Sequence, residues 1–129
     1  MNHRKSVLLV DDHPIVRQAL RDAIELTDDL CVFGEAASVK QALGKLKKSM
    51  PDTVLVDINL GESNGFDLLK EIRAQYSRTL PVLMFSALDW KWYAKQSLEE
   101  GAQGFVKGES INTILNALRT VLTGGTVFG

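Results

Sequence analysis

Apolar and polar positions along the chain switch repeatedly between two periods. Val7-Leu8-Leu9-Val10 is an unbroken apolar run ended by Asp11-Asp12-His13, the mark of a strand buried on both faces. Pro14 follows where a first helical residue has no use for its missing N–H. Ile15, Val16, Ala19, Leu20, Ala23 and Ile24 then recur at helical spacing, with Arg17, Gln18, Arg21, Asp22 and Glu25 opposite, and the helix is expected to end near Thr27-Asp28. Leu30 to Gly34 reads as a second strand at a sheet edge. Ser38 caps a helix that turns Val39, Ala42, Leu43 and Leu46 inward and Lys40, Lys45, Lys47 and Lys48 to solvent. A third strand, Thr53 to Asp57, leads into a loop with Gly61 and Gly65, and the next helix buries Phe66, Leu68, Leu69 and Ile72. Pro81 to Phe85 is a fourth strand ending in Ser86. A helix from Trp90 to Glu100 stops at Gly101, and Ala102 to Val106 is a fifth strand ending in Lys107. Ser110 caps a last helix through Ile111, Ile114, Leu115, Leu118, Val121 and Leu122, after which the period is lost.

Strand and helix thus alternate through five repeats, which predicts a parallel sheet with right-handed crossovers and helices on both faces, a doubly wound α/β domain. At 129 residues and 45% hydrophobic content the chain fits one such domain. Fifteen basic and 16 acidic residues leave a formal net charge of -1, so no overall field favours nucleic acid or an anionic membrane. The single cysteine, Cys31, excludes an internal disulfide, and the apolar run after Met1-Asn2-His3-Arg4-Lys5 is too short for export or membrane insertion. A cytoplasmic location is expected.

Function comes from what stands at the carboxyl ends of the strands, where ligands bind in open parallel sheets. These are Asp11 and Asp12 after the first strand, Asp57 after the third, Ser86 after the fourth and Lys107 after the fifth. Three converging carboxylates repel one another unless a cation lies among them. An all-oxygen donor set suits Mg2+ better than zinc. A carboxylate neutralised in this way can attack a phosphoryl group and hold it as an acyl phosphate, with a lysine and a hydroxyl on the equatorial oxygens.

Asp11-Asp12, Val56-Asp57-Ile58-Asn59-Leu60, Asn64-Gly65, Ser86-Ala87 and Gly101-Ala102-Gln103-Gly104-Phe105-Val106-Lys107 together resemble the receiver domains of two-component response regulators. The Asp-Asp-His-Pro opening and the Gly101–Lys107 run are most similar to the NarL/FixJ (LuxR-type) branch. The fold expected is a flavodoxin-like three-layer sandwich, with a five-stranded sheet of order 2-1-3-4-5 and five helices. The resemblance implies Asp57 as phosphoacceptor, Asp12 as a direct Mg2+ ligand (Mn2+ substituting), Asp11 as a ligand acting through water, and Asn59 as donor of a main-chain carbonyl. Ser86 and Lys107 match the phosphoryl-binding pair, and Ser86 with Phe105 the switch pair. It further implies a sensor histidine kinase or phosphotransfer protein as donor, a transient homodimer on phosphorylation, and no separate enzymatic activity. Residues 1–123 would form the receiver and 124–129 the start of a linker to a helix-turn-helix domain, through which alone DNA would be touched. Two positions depart from the family: Gly61 stands where proline is common, and Phe105 where tyrosine is.

Asn59 and Leu88 lie two residues after Asp57 and Ser86, flanking the path of a hydrolytic water, and apolar Leu88 predicts a long-lived phosphorylated state. Trp90 and Trp92 on the fourth helix are candidates for a partner surface. Bland alternatives fit elsewhere: His13 opens a helix rather than binding metal, and Cys31 is a small packed residue. Two other functions compete. A hydrolase would need a general acid where Asn59 stands, and a phosphorylation-independent docking module has no use for Asp11 and Asp12.

Overall fold

The computed structural model describes residues 3–76, 79–88, 91–108 and 110–128. Apolar runs become strands and amphipathic stretches become helices in the expected order. The elements are β1 (Lys5–Val10), α1 (Pro14–Glu25), β2 (Leu30–Ala36), α2 (Val39–Lys48), β3 (Thr53–Asp57), a small hairpin of β4 (Asn59–Leu60) and β5 (Ser63–Asn64), α3 (Gly65–Gln75), β6 (Val82–Ser86), α4 (Lys91–Glu99), β7 (Gly104–Lys107), α5 (Ile111–Leu122) and β8 (Val127–Phe128). The main sheet runs β2-β1-β3-β6-β7-β8 with every pairing parallel.

The order 2-1-3-4-5 therefore holds for the five principal strands, but the sheet has six strands, not five. Val127 and Phe128, in the tail where the period fades, pair with Gly104 and Phe105 along the open edge of β7. Two residues are too few to show an alternation, so the strand leaves no signature in the sequence.

Side chains of successive strand residues go to opposite faces, as the pleat requires. Leu8, Val10, Val54, Val56, Val82 and Met84 pack with Ala42, Leu46, Phe66 and Leu69. Val7, Leu9, Leu55, Leu83 and Val106 pack with Leu20, Ile24, Ile114 and Leu118 on the other side. Each fully buried aliphatic side chain contributes roughly 1.5–3 kcal/mol. Ser38 caps α2 through Gln41 N–H and Asn64 caps α3 through Phe66 N–H, whereas Ser110 occupies the N-cap of α5 without a side-chain bond. Some apolar assignments fail. Ile15 is 83% exposed and Val16, Ala19 and Ile111 of α5 are also at the surface, so that only Leu20 and Ile24 of α1 are buried.

Candidate functional site

All principal strands being parallel, their carboxyl ends meet at one rim. Val10 pairs with Val56, Asp57 with Phe85, and Ser86 with Lys107. This register sets Asp11 and Asp12 beside Asp57 on one side, and Ser86 with Lys107 on the other, where strand order reverses between β1 and β3.

Asp57 is buried, and Asn59 N–H donates to its Oδ1 at 2.9 Å. Burial pushes its pKa up to about 7; the Asn59 bond opposes this, and the neighbouring Asp11 carboxylate adds to it. Asp11 is only 1% exposed, and its Oδ2 has no hydrogen-bond partner. Such an oxygen in a cluster of like charges is open to a cation or to a proton shared with Asp57. Asp12 Oδ1 likewise accepts no hydrogen bond, its contact being the His13 ring at 3.1 Å.

His13 was expected to do no more than open α1, and its backbone does so in the N-cap position. Its ring goes elsewhere. Nδ1 lies 2.7 Å from Asp11 Oδ1, 3.1 Å from Asp12 Oδ1 and 3.5 Å from Asp57 Oδ2. The Asp11 hydrogen bond, and then the charges of Asp11, Asp12 and Asp57, raise the imidazole above its usual pKa against the opposing pull of desolvation. Arg17, assigned to the outer face of α1, donates to the Asp11 carbonyl at 2.7 Å and to Glu35, fixing the chain at the acidic loop. Neither role has a spacing signal, because both depend on where the loop points a side chain.

Two glycines shape the wall. Gly61 has φ +66°, and a Cβ there would stand 2.6 Å from Asp12 Oδ2. With Glu62 it joins β4 to β5 as a two-residue turn with glycine in the first central position. Proline, fixed near φ -65°, cannot make this turn. The departure at Gly61, where proline is common in the family, thus makes a tight hairpin against Asp12. At Gly65 a Cβ would lie 2.5 Å from the Asp57 carbonyl, so α3 can start this close only with glycine.

Ser86 is fully buried, and its Oγ accepts from Asn59 Nδ2 at 3.2 Å and Leu88 N–H at 3.1 Å. Leu88 itself is half exposed. Phe105 is buried against Tyr93 of α4, with ring centroids 6.1 Å apart, and Tyr93 meets Phe66 at 5.9 Å. The Tyr93 link was not foreseen; its only trace in the sequence is one more aromatic on a helix already carrying two. Trp92 is 57% exposed beside a shallow cleft with Lys95, Gln96 and Glu99, as the helical spacing predicts. Trp90 lies outside the described residues. A cleft of about 800 Å³ between α2 and α3 is lined by Val39, Leu43, Lys47 and Lys70 among others and contains none of the rim residues.

Residues 7–119 match the family described as the response regulator receiver domain. The chain belongs to that family. It is 35% identical over 122 residues to the transcriptional regulatory protein LnrK of Bacillus subtilis, covering 94% of this chain and 55% of that protein. It is 34% identical over 123 residues to the transcriptional regulatory protein MctR of Rhizobium johnstonii, covering 95% and 57%. The chain therefore spans little more than half the length of these curated relatives. Among solved structures, a LuxR-family two-component response regulator from Aurantimonas superposes with TM-score 0.90 at 30% identity, covering 97% of this chain and 89% of that one. The receiver domain of the putative response regulator NarL from Mycobacterium tuberculosis gives TM-score 0.85 at 28% identity, covering 95% and 98%. These likenesses bear out the flavodoxin-like receiver fold and the LuxR-type branch. Among the described residues, no helix is long and apolar enough to cross a membrane.

Proposed function

We propose that this receiver is a phosphorylation switch whose acceptor is Asp57, charged by a sensor histidine kinase or phosphotransfer protein. The observation that carries it is a buried carboxylate at the sheet's switch point, faced by Asp11 and Asp12 and flanked in register by Ser86 and Lys107. Mg2+, or Mn2+ in its place, fits the donor set, since Asp11 Oδ2 is buried without a partner. Asp12, Asp57 and the Asn59 main-chain carbonyl would hold the ion directly and Asp11 through water. When bound, it neutralises the carboxylates and the phosphoryl oxygens.

The remaining chemistry belongs to the chain. Asn59 N–H occupies Asp57 Oδ1, which leaves Oδ2 to attack phosphorus while the donor's bond to phosphorus breaks. Lys107 and the Ser86 hydroxyl serve the equatorial oxygens. Turning to donate to the phosphoryl group, Ser86 releases Leu88 N–H or Asn59 Nδ2, and the backbone at Leu88 shifts. Phe105, packed on Tyr93, transmits that shift to the face of α4, β7 and α5. The chain acts on its own acyl phosphate, promoting transfer and loss, and is no enzyme for other substrates.

The output follows from the relatives, which are transcriptional regulatory proteins. Phosphorylation favours a transient homodimer through the α4 face with Trp92, and transcription is controlled by a helix-turn-helix domain outside these residues, the only part to touch DNA. Residues 1–123 carry the receiver's site, the stretch after them closes its sheet through Val127 and Phe128 rather than forming a free connection, and the location is cytoplasmic. Incubation with Mg2+ and a small acyl phosphate, followed by intact mass, tests the central step. A retained phosphoryl mass that Asp57→Asn abolishes is expected. Turnover without retention would indicate a hydrolase, and neither a docking module; both would overturn the proposal.

A further inference from the structure

Past α5 the chain turns back onto the sheet. Gly125 N–H donates to the Thr120 carbonyl at 3.0 Å and Gly124 N–H to the Val121 carbonyl at 3.2 Å, with Gly124 at φ +91°. This is a Schellman stop, and it aims the tail along β7. Val127 N–H then donates to the Gln103 carbonyl at 3.1 Å, and Val127 and Phe128 pair with Gly104 and Phe105. Gly104 makes room for the strand, since a Cβ there would stand 2.7 Å from the Val127 carbonyl oxygen. β8 touches both α4 and α5. Phe128 packs on the layer that holds Phe105, Tyr93 and Ala94, and Val127 on the layer of Leu83, Val106 and Leu118. The strand thus fills the edge between two helices, although it is only two residues long and each is only partly buried.

Register sets this strand beside the switch. Paired residues of neighbouring parallel strands share a face, as do residues two apart on one strand. The pairs Ser86–Lys107, Met84–Phe105 and Phe105–Phe128 therefore bring Ser86, Phe105 and Phe128 to one face of the sheet, in that order across it. Phe105 is the residue that stands between the Ser86 hydroxyl and the Phe128 ring.

We propose that β8 is a strap on the α4–β7–α5 face whose hold depends on Phe105: docked while Asp57 is unmodified, it comes off on phosphorylation, freeing the β7 edge, the flank of α4 and the connection to the output domain. This inference rests on the Asp57 switch proposed above. Ser86, drawn toward the phosphoryl group, opens space on this face, and the Phe105 ring fills it by turning toward β6 and away from β8. Phe128 then loses its cross-strand neighbour, a large share of what holds so short a strand. Edge segments with few buried contacts are the first parts of a fold to open, so a small change in the bed shifts the strap. The coupling runs both ways, since a strap that phosphorylation loosens must, once loosened, favour phosphoryl binding.

Amide hydrogen exchange of the full chain in Mg2+, with and without acetyl phosphate, tests the strap, the phosphoryl mass being read on the same sample. Val127 N–H should exchange at least ~5-fold faster in the phosphorylated chain, with Leu118 and Val121 of α5 unchanged. Equal or slower exchange in a sample that carries the mass, or a rise shared equally by α5, would overturn the strap and leave Asp57 as acceptor. Absence of the mass would overturn the Asp57 reading and the strap with it. Phe128→Ala removes a partly buried ring and touches nothing at the rim, so it tests the reverse direction. Its Val127 should exchange faster than in wild type without any phosphate, and calorimetric titration in Mg2+ should show tighter binding of beryllofluoride, a phosphoryl mimic, by at least ~5-fold. Unchanged exchange, or equal or weaker binding of the mimic, would overturn the coupling.

Discussion

Asp57 is held at a cost. Its pKa of about 7, raised mainly by burial, compares with an ordinary 3.8, so between these values the folded chain holds a proton that the unfolded chain has lost. Stability therefore falls as pH climbs from about 4 to 7, and the penalty is complete above that window. In EDTA, Asp57→Asn should raise the melting temperature at pH 8, by on the order of 2 kcal/mol, with the gain shrinking toward pH 4. Melting curves across that range check it; a variant no more stable than wild type at pH 8 would contradict it. Gly61 is the second residue with a definite demand. Gly61→Ala forces a Cβ to 2.6 Å from Asp12 Oδ2 at φ +66°, so it should cost about 1–2 kcal/mol and weaken Mg2+ binding, and Gly61→Pro should cost more. Thermal melts and Mg2+ titration read both effects. Leu88, half exposed and apolar, offers nothing to orient a water toward Asp57. Loss of label from the phosphoprotein should take minutes or longer, and decay within seconds would contradict this.

Among the elements, α4 is the least anchored. Its nine residues bury only Ser97, whereas α5 buries Ile114, Leu115, Ala117, Leu118 and Val121. What ties α4 down is the Tyr93 ring between Phe66 and Phe105, while the Ser97 hydroxyl bonds back within the helix to the Tyr93 carbonyl at 2.7 Å. Amide exchange should accordingly be fastest in α4 among the five helices. Protection there equal to that of α5 would argue against a movable output face. The elements themselves were largely legible, since buried strands and amphipathic helices follow from period alone. Two kinds of detail were not. Ile15 fits the apolar stripe of α1 yet is exposed, because period marks a face and not whether a neighbouring element covers it. The β4–β5 hairpin is only two residues per strand, below the length at which alternation can be seen.

For the whole molecule, the ends of four strands gave the rim its members, since parallel topology turns sequence position into spatial convergence. The directions of side chains at the rim were beyond that logic. His13 enters the carboxylate cluster and Arg17 clamps the Asp11 carbonyl because of loop geometry that no spacing encodes. From this arrangement a signal should travel from Asp57 through Ser86 and the segment after it to Phe105, Tyr93 and the α4 surface around Trp92. Amide spectra of the 15N-labelled protein, recorded with Mg2+ before and after acyl phosphate, follow that path directly. Shifts running from the Asp57 loop through Ser86–Leu88 into α4 and β7, absent in Asp57→Asn, are the expected result; shifts confined to the acidic rim, or equal in Asp57→Asn, would contradict it.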